Sequence, residues 1–284
     1  LNSSHTIQNE LFFTTDLDIE SIKNYMRKVI DKSLGLNRTQ EASTAYQAEY
    51  ILRIAQVNNG KLHQKIGKKA FGRTYYEGLS VTNVSKEFRK AMLGDSWEYD
   101  SKSCSTAWKM SFAQEWQDLK KRRKFSLREK FKAMTWFLED KPNFYQHVSS
   151  HTFQQSTLTH DERNDILKEA MTALGFGAKL GVGFWLNKFG DETMSSLIDV
   201  FNKDIETFTR FVNCPIVQKF NKEQQILNKY IVDKFSVDSQ WRVDMDLERQ
   251  RKKMKDDFSQ AQKVVWLFQH AETEMMNIVR KKLQ

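Results

Sequence analysis

The stretch Thr159-His160-Asp161-Glu162, followed by the apolar stripe Leu167, Ala170, Met171 and Leu174 and closed by Gly175 and Gly177, decides the fold class. A threonine with a glutamate three residues later satisfies two orphan N–H groups reciprocally, and glycine tolerates the backbone that ends a helix. The same helical spacing recurs outward from this segment. Ile19, Ile22, Tyr25, Met26, Val29 and Ile30 predict two amphipathic helices between residue 17 and about residue 57, separated near Gly35. Helical patterns also cover 107–138, stopping near Lys141-Pro142, then 195–211, 217–235 and about 258 to the last residue. The Gly- and Lys-rich stretch 58–72 reads as a mobile basic loop. Trp97-Glu98-Tyr99 is the best strand candidate, ending at Asp100. The expected fold is therefore mainly α with a small β component, an α+β chain.

At 284 residues, 39% apolar and 12% aromatic, the chain has enough core-forming side chains to exclude a disordered class. Cys104 and Cys214 stand far apart with no CxxC and no Cys/His cluster, so neither a disulfide framework nor a zinc site is indicated, and a reducing intracellular location is expected. No apolar run approaches the roughly 18 residues that span a bilayer, so no membrane partner is expected. The formal charge of +9 is concentrated. Lys120, Lys121, Arg122, Arg123, Lys124, Arg128, Lys130 and Lys132 form one run, and Arg249, Arg251, Lys252, Lys253 and Lys255 another. Such runs suit phosphate, although a solvated helix face looks the same. Trp108, Trp116, Phe125, Phe131, Trp136 and Phe137 interleave with the first run, as core or as base-stacking residues.

Asp100 ends an aromatic strand and precedes Ser101-Lys102-Ser103-Cys104-Ser105, small polar residues that admit a close ligand. Taken alone, such an Asp is a turn or cap residue. Three ordered segments add to it. Gly72-Arg73, then Leu79-Ser80-Val81-Thr82-Asn83-Val84 and Arg89-Lys90-Ala91-Met92, run into Glu98-Tyr99-Asp100. Gly175-Phe176-Gly177-Ala178-Lys179-Leu180-Gly181 follows a helix carrying Lys168 and Thr172 on the stripe of Phe176. Leu267-Phe268-Gln269-His270-Ala271-Glu272 comes last. In order and spacing these segments resemble the palm and fingers core of family A DNA polymerases and phage-type single-subunit RNA polymerases.

The resemblance implies a right-hand polymerase-like arrangement: an N-terminal helical module 1–70, a first palm segment 71–115, a fingers-like region 116–215 and a return to palm at 216–284. It implies template-dependent nucleotidyl transfer from nucleoside triphosphates with two Mg²⁺ ions, Asp100 being a metal ligand. Lys168 would offset triphosphate charge, Thr172, Phe176 and Gly177 would shape the nucleotide pocket, and Arg73 and Gln269 would contact nucleic acid, with Lys121, Arg122 and Arg123 on the backbone. Ser105 stands where the DNA polymerases carry a bulky Glu, a slight tilt toward ribonucleotides.

Departures from the family pattern are specific. Lys168 and Thr172 replace an Arg and a Lys, and Leu180 replaces a Tyr, with Lys179 or Arg163 as compensating cations. The second metal-binding Asp is missing, so a downstream segment or a partner chain is expected to supply it. Asp244 and Asp246 stand in the wrong order for that role, in a stretch read as irregular. His147 and His151 have helical metal-ligand spacing without a third ligand, and read better as surface or capping residues. The rival expectations are a non-catalytic helical nucleic-acid-binding accessory protein and a degenerate or split polymerase subunit.

Overall fold

The computed structural model describes residues 12–283 except 33, 68–71, 73–75, 95–102, 121–125, 155, 187–189, 238 and 254–257. The strand expected at Trp97-Glu98-Tyr99 lies outside the described residues. The chain divides into two compact units, Leu1–Lys69 with Thr74–Asp100, and Ala70–Arg73 with Ser101–Gln284.

In the first unit, β1 (Phe12–Asp16) pairs antiparallel with β2 (Lys61–Lys65), Phe12 opposite Lys65 and Asp16 opposite Lys61. Helices α1 (Ile19–Ile30), α2 (Arg38–Val57) and α3 (Lys86–Leu93) complete it. The two expected N-terminal helices are present, and each begins at a residue able to cap it. The Asp18 carboxylate accepts from the Ser21 N–H at 2.8 Å, and Asn37 with Gln40 forms a capping box. Ile22, Tyr25 and Val29 of α1 pack with Ile51, Ala55, Leu62, Phe88 and Met92, and Tyr25 stacks on Phe88.

The expectation of a mobile loop over 58–72 is corrected at 61–65, which is a strand. Its inward positions alternate, but one of them is Gln64, which hid the apolar period. Gln64 is buried because it is fully used: its Nε2 donates to Thr15 Oγ1 at 2.7 Å and its Oε1 accepts from the Val81 N–H at 2.8 Å. The turn at 79–84 is also held by Arg89, which donates to the carbonyls of Val81 and Thr82.

The second unit is a helical assembly around one long buried helix. Its elements are α4 (Cys104–Ser111), α5 (Ala113–Leu119), α6 (Leu127–Lys130), α7 (Lys132–Glu139), α8 (Lys141–Thr152), α9 (His160–Gly175), the ribbon β3 (Trp185–Leu186) with β4 (Glu192–Thr193), α10 (Leu197–Val200), α11 (Ile205–Asn213), α12 (Pro215–Val237), α13 (Ser239–Arg251) and α14 (Gln260–Leu283). α12 touches α4, α5, α7, α9, α11, α13 and α14 and buries Val217, Phe220, Leu227 and Ile231. A helix enclosed on several sides must also satisfy its polar residues there. Glu223 does so by accepting from the N–H groups of Ala133 and Met134, at 3.3 and 2.9 Å, in the first turn of α7. Those donors have no side-chain cap from Phe131, so the carboxylate of α12 supplies it.

The expected stop near Lys141-Pro142 is observed: α7 ends at Glu139, and Lys141-Pro142 opens α8, where proline fits the first turn because its missing N–H would have no partner there. One expectation is corrected here. Asp244 and Asp246 sit on α13 and not in an irregular stretch. Five of the interleaved aromatics belong to the core, Trp116, Phe131 and Phe137 buried and Trp108 and Trp136 packed against it, while Phe125 lies outside the described residues. The expected mainly helical α+β class is observed, and no helix among the described residues is long and apolar enough to cross a membrane.

Candidate functional site

The capping box read from the sequence is formed. Thr159 Oγ1 accepts from the Glu162 N–H at 3.3 Å, and Glu162 accepts from the Thr159 N–H and hydroxyl, both at 2.8 Å, which holds its carboxyl below the usual range. α9 then buries Leu167, Ala170, Met171, Leu174 and Gly175. Its opposite face carries Lys168 and Thr172, both exposed, with the Thr172 hydroxyl turned back to the Lys168 carbonyl at 2.6 Å. Phe176, one turn further on, is half-buried, its ring 5.9 Å from that of Phe268 on α14. Gly177 is required by its surroundings: its φ is +92°, and a Cβ there would come within 2.5 Å of the Ala261 methyl on α14.

Ser105 and Lys109 stand one turn apart on α4. Ser105 Oγ lies 3.7 Å from where a Cβ on Gly175 would be, so α4 and the end of α9 are in near contact. Lys109 is entirely buried, on the inward stripe that continues through Ala113 and Trp116. Its ammonium donates to the Gly175 carbonyl, one of the carbonyls a helix end leaves without a partner, and to Gln224 Oε1 of α12 at 2.6 Å. Burial alone pushes Lys109 down to about 7. Sequence reasoning missed this residue because it was counted among a basic, aromatic helical stretch. The available signal was a lysine in register with Thr106, Ala113 and Trp116, the positions that face inward.

Trp108, on the same helix as Lys109, packs its ring 5.6 Å from that of Phe268. The next residue, Gln269, is half-buried, and its carbonyl accepts from Thr273 Oγ1 at 3.0 Å. The same hydroxyl lies 3.2 Å from the Gly72 carbonyl, while the Gly72 N–H points to His270 Nδ1 at 3.4 Å. His270 in turn meets Trp241 edge-on, and burial lowers its pKa. Ser105 thus lies by the end of α9, Phe176 by Phe268 of α14, and Gly72 by His270 and Thr273 further along the same helix.

Other predicted residues are accounted for differently. Asp100, Arg73, Lys121, Arg122 and Arg123 lie outside the described residues. Arg163 donates to the Ser156 carbonyl at 2.7 Å, near the opposite end of α9 from Phe176, and Lys179 lies over the Trp185 ring at 4.0 Å. His147 packs on Trp136. Among the described residues no group of three His, Cys, Asp or Glu side chains gathers to hold a metal ion. Compared with known proteins, the chain matches no family model, no curated protein and no solved structure.

Proposed function

We propose that this chain is the core of a template-dependent nucleotidyltransferase, a single-subunit nucleic-acid polymerase with a slight preference for ribonucleotides. The observation that carries the reading is the convergence around α14. Parts of the three segments singled out for their order in the sequence meet there: Gly72 lies against His270 and Thr273, and Phe176 against Phe268, which Trp108 of α4 also meets.

In this reading the exposed stripe Lys168–Thr172 meets the triphosphate, with Lys168 offsetting its charge, while Phe176 and Gly177 bound the base and Ser105 lies near the sugar. Gln269 and Arg73 touch nucleic acid, and Lys121, Arg122 and Arg123 hold its backbone. Asp100 would hold Mg²⁺, which when bound supplies charge stabilisation at the transferring phosphoryl group. The location is intracellular, where templates and nucleoside triphosphates are found.

The test is Mg²⁺-dependent nucleotide incorporation on a primed template, by the chain alone and with any co-purifying partner chain. Asp100→Ala should abolish incorporation and leave template affinity nearly unchanged, because metal and backbone are held by different residues. Incorporation that survives Asp100→Ala rules out the assignment. Template binding with no incorporation by wild type under either condition favours a non-catalytic nucleic-acid-binding protein.

A further inference from the structure

We infer that Lys109 is a positioning residue for the nucleotide pocket, fixing the Phe176–Gly177 end of α9 against α4 through the Gly175 carbonyl and Gln224; this rests on the polymerase reading above. Three observations carry it. First, the ammonium bridges the site's own parts: it leaves α4 one turn after Ser105 and ends on the carbonyl immediately before Phe176. Second, its other bond, to Gln224 Oε1, ties both helices to α12, the most enclosed helix of the unit. Third, the bridge is costly. A buried cation without a countercharge destabilises a fold, and a methionine of similar length would fill the same space without that penalty. Costs of this kind concentrate where function needs them.

The neighbours of Lys109 do not offset the charge. Gly175 and Gln224 present a carbonyl and an amide, Ser105 and Thr106 on its own helix are neutral, and no charged side chain contributes to its titration. Glu223, adjacent to Gln224, is engaged by the N–H groups of Ala133 and Met134 on α7. The protonated amine makes charge-assisted bonds, roughly twice as strong as neutral ones. Burial still disfavours that charged form, so the packed arrangement of α4 and α9 is weakest below pH of about 7 and tightens as pH rises above it.

The experiment measures UTP incorporation on an oligo(U)-primed poly(dA) template across pH, with circular dichroism to verify folding. Lys109→Met should raise KM for UTP about tenfold while kcat changes less than about threefold and template affinity stays the same. Wild-type kcat/KM should rise as pH rises through about 7, a limb that Lys109→Met removes. Gln224→Glu, which sets a carboxylate beside the ammonium, should move that limb upward by roughly one pH unit or more. A folded Lys109→Met with wild-type KM and pH profile overturns the inference. Should Lys109→Met fail to fold, Gln224→Glu decides: an unmoved limb overturns the inference, a shifted one supports it. Wild type that incorporates no nucleotide overturns the polymerase reading and this inference with it.

Discussion

The two faces of α9 contrast sharply. The inner face is fixed by Leu167, Ala170, Met171 and Leu174 in the core and by Lys109 on the terminal carbonyl. The outer face, Lys168 and Thr172, is exposed, and the Thr172 hydroxyl bonds back to its own backbone. The apolar side chains that hold the helix thus lie apart from the exposed stripe, so a substitution of an outer residue should leave stability largely intact, whereas Lys109, on the inner side, bears on both.

Four substitutions would break or sharpen that contrast. Leu174→Ala, at a position 2% exposed, should cost about 3 kcal/mol by denaturant unfolding, through lost burial and a residual cavity. Lys109→Met removes a buried charge but leaves the Gly175 carbonyl and Gln224 Oε1 without their donor, so the two effects offset and the net change at pH 6 should stay within about 2 kcal/mol. Because burial depresses the lysine in the folded state, wild type binds fewer protons folded than unfolded between about pH 7 and the ordinary lysine range. Its stability should therefore rise with pH over that window relative to that of Lys109→Met, which unfolding curves at several pH values can follow. Thr159→Ala removes the cap of α9 and should cost about 1 kcal/mol in the same assay. Lys168→Ala should change stability by less than about 0.5 kcal/mol, yet raise KM for the nucleoside triphosphate if the outer face meets its charge. A destabilisation by Lys168→Ala as large as that of Leu174→Ala would erase the distinction between the faces.

Legibility followed the range of the interactions. α9 could be read because its start and stop signals, Thr159 with Glu162 and the glycines after Leu174, are local chemistry. α1 and α2 could be read for the same reason, from stripe and cap. α13 could not. Charged residues break up its apolar stripe, and its inward positions show only in the packing: Trp241 stacks against Phe235, and Glu248 is buried with Arg251 as its partner. The stop near Pro142 could be read because α7 ends at Glu139 just before it, while the proline's fixed φ also suits the first turn of α8. β2 was hidden by Gln64, a polar side chain whose inward place depends on Thr15 and Val81, neither adjacent in sequence. At the site, Phe176, Gly177 and Gln269 could be named from motif spacing. Lys109 was harder to read, since its register with Thr106, Ala113 and Trp116 marks an inward position but not the carbonyl, 66 residues later, that receives it.

The strap formed by Gly72 carries a consequence for the order of assembly during synthesis. Hydrogen bonds of the first unit, such as Gln64 to Thr15 and Val81 or Arg89 to Val81, link residues that have all emerged by the time residue 100 is made. Gly72 belongs to the second unit, and its partners His270 and Thr273 arrive 198 and 201 residues later. Closing so long a loop is slow relative to local pairing. The strap therefore closes late, and the turn of α14 bearing Gln269 gains these two contacts only near the end of folding, after the N-terminal unit can already stand.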